Sequence, residues 1–446
     1  MKVLMFGWEF PPHITGGLGT ACYGMTKGLA KNGVEVLFVV PKAFGDEDQS
    51  SVRLLNASDV TVNLDNETDR RYWDRVHYME VGSNIIPYVG PEEYASMVTD
   101  YRATDHFKSS VFAPRYEFSG KYGANLMEEV ARYALIGSSL ATKYDFDIIH
   151  AHDWLTYSAG VAAKETTGKP LVVHMHATEF DRSGENINTD VYAIERRGME
   201  MADLVITVSN LTRNIVIEKY GINPDKVITV HNAVEPNSKS LSEYDKSGLN
   251  AKIVTFLGRI TYQKGPEYFV EAAYKIIQQI SDVHFVMAGT GDLLKKMIRR
   301  VSQLKIGSRF HFTGFLKGQD VDRMFAMTDV FVMPSISEPF GIVPLEAMRL
   351  NVPVVISKQS GVSEVLKHAL KVDFWDINGL ADCIYGLCNY KAISELFKKE
   401  GKDEVDTLRW EAASKKIIEV YNLALQGKCK KLLFCSREGE LLKSLF

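Results

Sequence analysis

The sequence predicts two doubly wound parallel α/β domains that follow each other along the chain and face a shared cleft. Three observations carry that expectation. Short β-branched runs alternate with longer amphipathic stretches through almost the whole sequence, the pattern of buried parallel strands connected by helices. The alternation stops once, after His231-Asn232-Ala233, in a stretch rich in Ser, Asn, Pro and Lys with no period, and then resumes. At 446 residues, 46% hydrophobic and 24% charged, the chain suits two or three globular domains and does not suit disorder, collagen or coiled coil.

In the first series, strands are expected at 3–6, 35–40, 147–150, 171–174, 204–208 and 227–230, with helices at 18–32 and 125–144. Together they make a domain over 1–233, interrupted by an elaboration at 45–120 that carries Tyr72, Trp73, Tyr88, Tyr94, Tyr101 and Tyr116. A linker spans 234–250. The second series has strands at 253–257, 283–287, 310–312, 330–333 and 352–356 and helices at 266–279 and 293–303, giving a domain over 251–425. A basic tail, 426–446, closes the chain.

Charge and cysteine usage set the surroundings. The formal net charge of −4 gives no broad electrostatic reason to bind nucleic acid or an anionic membrane. No apolar run approaches the ~18 residues of a spanning helix. The first ten residues lack a cleavage-site pattern, so no signal peptide is expected. Five cysteines without CxxC spacing fit reduced thiols and a cytoplasmic location.

Four constellations are placed to do chemistry. Gly16-Gly17-Leu18-Gly19 follows the first strand and opens a helix, where backbone can approach an anion closely; a plain tight turn is the simpler alternative. Gly258 to Gly265 (GRITYQKG) follows the first strand of the second domain. Its Arg259 and Lys264 can converge on a diphosphate, one as a fork and one as a point charge. Glu338 to Glu346 (EPFGIVPLE) sets two carboxylates around a turn into a helix, with Gly341 freeing the backbone and Pro344 suited to the first helical position. This offers backbone amides to phosphate, Glu346 to ribose hydroxyls and Glu338 to a sugar or its leaving group.

The fourth is histidine-rich. His150-Ala151-His152-Asp153-Trp154 and His174-Met175-His176 lie at the ends of predicted strands, and alternate strand residues share a face. Four imidazoles with Asp153 and Glu179 would suit a zinc hydrolase; a single strand-end histidine is equally a hydroxyl ligand or acid/base. Asp145-Phe146-Asp147 matches a DxD metal motif only superficially, because it precedes a strand.

Gly16 to Gly19, HAHDW at 150–154, GRITYQKG at 258–265, AGTGD at 288–292 and EPFGIVPLE at 338–346, in this order and spacing, resemble the GT-B-fold retaining glycosyltransferases, and within them the glycogen/starch synthase and sucrose-phosphate-synthase-like group. The resemblance covers roughly 1–425. It implies two Rossmann-like domains, a helix at about 406–425 with Trp410 that crosses back onto the first domain, and a nucleotide-sugar donor, ADP- or UDP-glucose, held mainly on the second. Arg259 and Lys264 would then meet the phosphates, Glu346 the ribose, and the backbone of Gly341, Ile342 and Val343 the phosphate–sugar end. His152 and Glu338 would lie at the transferred sugar, and Gly17 would approach the diphosphate from the opposite wall. No metal cofactor is implied. The expected activity is extension of an α-1,4-glucan acceptor, with transfer to a small acceptor or another polysaccharide, or a non-catalytic sugar-binding module, as alternatives. Ile14 stands where bacterial glycogen synthases commonly carry a lysine, and HMHATEFDRSGE at 174–185 resembles the sucrose-synthase-related branch.

Overall fold

The computed structural model describes residues 1–13, 16–60, 116, 118–120, 123, 125–235 and 251–443, with side chains through 427. Most of the aromatic elaboration, Ile14 and the greater part of the linker lie outside the described residues.

The first half forms a seven-stranded sheet in the order β3-β2-β1-β4-β5-β6-β7. Its strands are β1 (Lys2–Phe6), β2 (Glu35–Val40), β3 (Arg53–Asn56), β4 (Ile148–His152), β5 (Leu171–Met175), β6 (Leu204–Thr207) and β7 (Val227–Thr229). All pairings are parallel. Chain order reverses between β1 and β4, so their carboxyl ends open a crevice of the kind that binds ligands in doubly wound sheets. Strand β4 runs two residues beyond its expected end, which puts both histidines of the His-x-His run inside the sheet, with His152 level with His174 of β5. Strand β3 lies within the stretch expected as an elaboration; it is an edge strand of the sheet itself.

The described helices of this half are α1 (Gly17–Lys31), α2 (Leu126–Lys143), α3 (Trp154–Thr167), α4 (Glu179–Ser183), α5 (Thr189–Met201) and α6 (Asn210–Tyr220). Helices α2 and α3 cover one face of the sheet through a core that includes Tyr133, Leu135, Trp154 and Tyr157. Tyr116 belongs to that core, 3% exposed, so this aromatic of the elaboration is packing.

The second half builds a six-stranded parallel sheet in the order β10-β9-β8-β11-β12-β13. Its strands are β8 (Lys252–Leu257), β9 (Val283–Ala288), β10 (Phe310–Gly314), β11 (Val330–Met333), β12 (Val354–Ser357) and β13 (Leu370–Val372). Strand β12 begins two residues later than expected: Pro353, lacking an N–H, ends the turn before it. Order reverses at β8, so the loops after β8 and β11 sit at the second switch point. Around this sheet lie α7 (Pro266–Ile277), α8 (Leu294–Gln303), α9 (Gln319–Met327), α10 (Val343–Arg349), α11 (Ile377–Asn389) and α12 (Lys391–Val405).

The last helix, α13 (Trp410–Lys443), returns to the first domain. Trp410, Ile417 and Tyr421 are buried against Met25, Leu29 and the face of the first sheet that α2 and α3 leave open. The approach requires glycine on α1: a Cβ at Gly24 would stand 2.1 Å from the Trp410 ring nitrogen. The crossing helix expected at about 406–425 is therefore present but longer. It continues without a break through most of the expected tail.

Candidate active site

The second-domain wall is assembled from two loops at the carboxyl ends of adjacent strands. The loop after β8 carries Arg259, which is exposed, and then a single 3₁₀ turn, Tyr262–Lys264. The loop after β11 carries Glu338, 7% exposed. Lys264 Nζ donates to Glu338 Oε2 at 2.5 Å, and Ser335 Oγ donates to the same oxygen at 3.2 Å. The main chain around Glu338 is tied to the loop after β12: its N–H donates to Gln359 O, and Gly361 N–H donates to its carbonyl. Both strand-end loops thus present a charged pair whose position is fixed by the scaffold.

Gly341 follows three residues on with φ of +100°, a conformation side chains rarely adopt. A Cβ there would press on Met333, Glu338 and Val362 at 3.1 to 3.3 Å. Helix α10 then begins with Val343, so Pro344 is its second residue rather than its first, and the helix has only seven residues. Its dipole is correspondingly small, so an anion held here would depend on individual backbone N–H groups, such as those of Gly341, Ile342 and Val343, rather than on the helix. Glu346 lies in the first turn of α10, partly buried; burial raises its carboxyl above the usual range, with Arg349 opposing.

The facing wall is built from β4, β5 and the start of α1. Gly17 opens α1 and is exposed, and neither Gly16 nor Gly17 has any atom within 4 Å of where a Cβ would stand. Neither has a positive φ, so neither packing nor backbone conformation demands glycine here. His152 is wholly buried at the end of β4, its Nδ1 3.0 Å from His176 Nε2. Burial, reinforced by the rings of His150, His176 and His174, holds the His152 imidazole well below its ordinary pKa. Burial lowers His176 to about 3, so both rings are neutral.

Three features were not read from the sequence, the first being the conformation of a residue already named there. Asp153, directly after His152, has φ of +58°, a strained conformation for a non-glycine residue and one that clusters at functional sites. Its carboxylate accepts from the His176 N–H at 2.7 Å, and burial raises its pKa to about 7. The second is a direct tie between the walls: Ser337 Oγ donates to Asp181 Oδ1 at 2.5 Å, joining the residue before Glu338 to the turn after His176. The third is Glu364, which accepts the N–H groups of Asn210 and Leu211 at the start of α6 and pairs with His231 at 2.8 Å. No pattern within one segment signals contacts of this range; only the strained aspartate follows a motif already singled out. The Asp145-Phe146-Asp147 run lies at the opposite, amino end of β4, where Asp147 accepts the Lys2 N–H and Asp145 faces solvent.

Two Rossmann-like domains, each opening its switch-point loops onto a common cleft, define the GT-B class of glycosyltransferase. The chain matches the family model described as the starch synthase catalytic domain over residues 2–230, just over half its length, and that described as glycosyl transferases group 1 over 241–384. It belongs to the starch synthase catalytic domain family and is a glycosyltransferase, a hexosyltransferase by class. It is 28% identical to an uncharacterised glycosyltransferase of Methanocaldococcus jannaschii, over 96% of this chain and 99% of that one. It is 22% identical to the glycogen synthase of Mycobacterium tuberculosis, over 96% of each. Among solved structures, Anabaena HepE in complex with UDP and glucose superposes with a TM-score of 0.65 at 17% identity, covering 95% of this chain and 99% of that one. No described helix is long and apolar enough to cross a membrane.

Proposed function

We propose that this chain is a retaining glucosyltransferase that extends an α-1,4-glucan from ADP- or UDP-glucose. The observation that carries the reading is the Lys264–Glu338 pair, held at the carboxyl ends of β8 and β11 and tied through the neighbouring Ser337 to the wall that bears the histidines. Relatives support the chemistry: a glycogen synthase aligns along nearly the whole chain, and a structural neighbour holds UDP and glucose.

In this mechanism the donor diphosphate enters between the walls. Lys264 and Arg259 neutralise its charge, the N–H groups of Gly341, Ile342 and Val343 meet its sugar end, and Glu346 takes the ribose hydroxyls. Charge grows on the departing phosphate as the glycosidic carbon loosens its bond, and preorganised cations stabilise that charge without reorganising. Glu338 fixes Lys264 before the donor arrives and stands beside the transferred glucose. His152, beneath the opposite wall and wholly buried, contacts that sugar only once donor binding uncovers its ring. The acceptor hydroxyl attacks from the face the leaving group vacates, its proton passing to the leaving phosphate, so the anomeric configuration is kept and no separate base is used. Gly17, whose missing Cβ leaves open space above the start of α1, admits the diphosphate from the first-domain side.

No metal cofactor takes part in this scheme, since the cations are the protein's own and Asp145 and Asp147 lie at the far end of the sheet. The test is a donor-by-acceptor screen, ADP- and UDP-glucose against glycogen and short maltooligosaccharides, with and without chelator, followed by the anomeric configuration of the product. Chelator-resistant α-glucosyl incorporation into glucan is the expected result. Incorporation into neither acceptor would move the activity to a small acceptor, and a β-linked product would discard the front-face mechanism.

A further inference from the structure

Behind the cleft wall, on the face of the first sheet covered by α13, three imidazoles meet in a dry pocket. His150, His152 and His174 are 0 to 1% exposed. They offer one ring nitrogen each within 4.8 Å of one another. The rings crowd together, with centroids 4.2 Å apart for His150 and His152 and 5.4 Å for each of these with His174.

What distinguishes the cluster from ordinary core packing is its hydrogen bonding. His150 Nε2, His152 Nε2 and both nitrogens of His174 are buried with no partner. Each neutral imidazole must carry one N–H and one lone pair, and leaving such groups unmet inside a protein costs about 1–3 kcal/mol apiece. Meanwhile the other nitrogens are anchored: His150 Nδ1 lies 2.7 Å from Tyr421 Oη of α13, and His152 Nδ1 3.0 Å from His176 Nε2. For His150 and His152 that is the arrangement of a metal-ligating histidine, one nitrogen oriented by an outer partner and the other left free as a ligand, while His174 has both nitrogens free.

We propose that His150, His152 and His174 form a buried binding site for one zinc ion, which staples the ends of β4 and β5 and, through Tyr421, the returning helix. Zinc suits three imidazoles at about 2.0–2.1 Å, which brings the nitrogens to roughly 3.4 Å from one another. Rotation of the rings by an ångström or so supplies that contraction. His176, which keeps some exposure, marks the route from the cleft. Three imidazoles leave the fourth tetrahedral position of the zinc to a water; what separates the site from the hydrolase expectation is its place beneath the cleft wall, on side chains 0 to 1% exposed, where no substrate reaches the metal.

The alternative set on the page, Cys22 with His152 and His176, differs in containing sulfur and decides the design of the test. Untagged full-length protein is titrated with zinc against a chromophoric chelator, and the loaded protein is examined by X-ray absorption. Expected are one zinc per chain, three nitrogen ligands and a raised Tm. His150→Gln and His174→Gln should each weaken binding at least ~100-fold, Tyr421→Phe about 10–100-fold as an outer-shell change, and Cys22→Ser not at all. Failure of the wild type to take up one zinc overturns the site. So does sulfur ligation, or unchanged affinity in folded His174→Gln. If the histidine variants fail to fold, the wild-type ligand set and Tyr421→Phe decide alone. Because His152 is shared, loaded enzyme should also transfer more slowly, a clause that rests on its proposed sugar contact. Stoichiometric zinc with unchanged turnover would end that contact and leave the metal site standing.

Discussion

The two walls of the cleft solve the same task with opposite electrostatics. The second-domain wall is charged and saturated: Glu338 receives Lys264 and Ser335 on one oxygen, and its backbone is bonded on both sides. The first-domain wall is neutral and unsaturated, with three buried imidazoles that leave four ring nitrogens without partners. A saturated charged pair is preorganised for a charged ligand, and in the proposed mechanism the donor exchanges partners with Lys264. An unsaturated neutral cluster waits for a hydroxyl or a metal to complete it. The walls should therefore respond to substitution in different quantities, one in turnover and donor affinity, the other in acceptor-side chemistry and metal uptake.

The largest effect should come from Glu338→Ala. It removes the group that fixes Lys264 and stands beside the proposed sugar position, and kcat should fall by about 10²–10³, the usual loss for one preorganised electrostatic element. His152→Ala should lower kcat by a similar order, but with a changed zinc titration that Glu338→Ala lacks. Near-normal kcat in either variant, with the fold intact by circular dichroism, would break the comparison on that wall.

Next in size is Lys264→Ala. A charge-assisted contact contributes about 1.5–3 kcal/mol, so donor affinity should weaken roughly 10- to 150-fold, read by calorimetry with the nucleoside diphosphate. The same substitution leaves Glu338, 7% exposed, without its cation, so the variant should also lose stability. Gly17→Val probes the other wall against this one. No atom within 4 Å would meet its Cβ, so Tm should hold while donor affinity falls several-fold. A large fall in Tm with donor binding unchanged would reduce Gly17 to the simple turn residue that a glycine-rich stretch otherwise suggests.

Most of the framework was legible because strand and helix periodicities are local. The alternation of β-branched runs located eleven of the strands to within a residue or two, and the His-x-His register followed from the two-residue repeat. The short β3 and β13, RLLN and KV with a leading Leu, carry no β-branched run of useful length, and α13 runs through Gly427 because one glycine does not end a long helix. Lys264 and Glu338 were singled out from motif and spacing, but the ion pair between them was not legible, since 74 residues separate them. The same holds for Ser337 with Asp181 and for Tyr421 with His150, 271 residues apart. Composition shows which groups are present; only packing shows which are satisfied, and the contrast between the walls consists of that difference.

The smallest expected effect tests how the walls are held together. Glu364, beside β12, accepts two N–H groups at the start of α6 and pairs with His231, so it bridges the domains. Burial alone would raise its carboxyl, but the His231 ring and the two N–H groups outweigh burial and hold it below the usual range. A carboxyl depressed on folding contributes stability above its unfolded pKa, and that contribution is lost as pH falls through the folded value. At pH 7, Glu364→Gln should therefore cost about 1–2 kcal/mol, seen as a lower Tm. As pH falls below the ordinary carboxylate range and through the depressed folded value, the wild type protonates the same group and loses the same bonds, so the two melting curves should converge there. Convergence on acidification places this carboxylate among the ties that keep the walls in register, whereas a constant gap down to pH 3 would assign the loss to packing and leave Ser337 and Asp181 as the principal polar bridge.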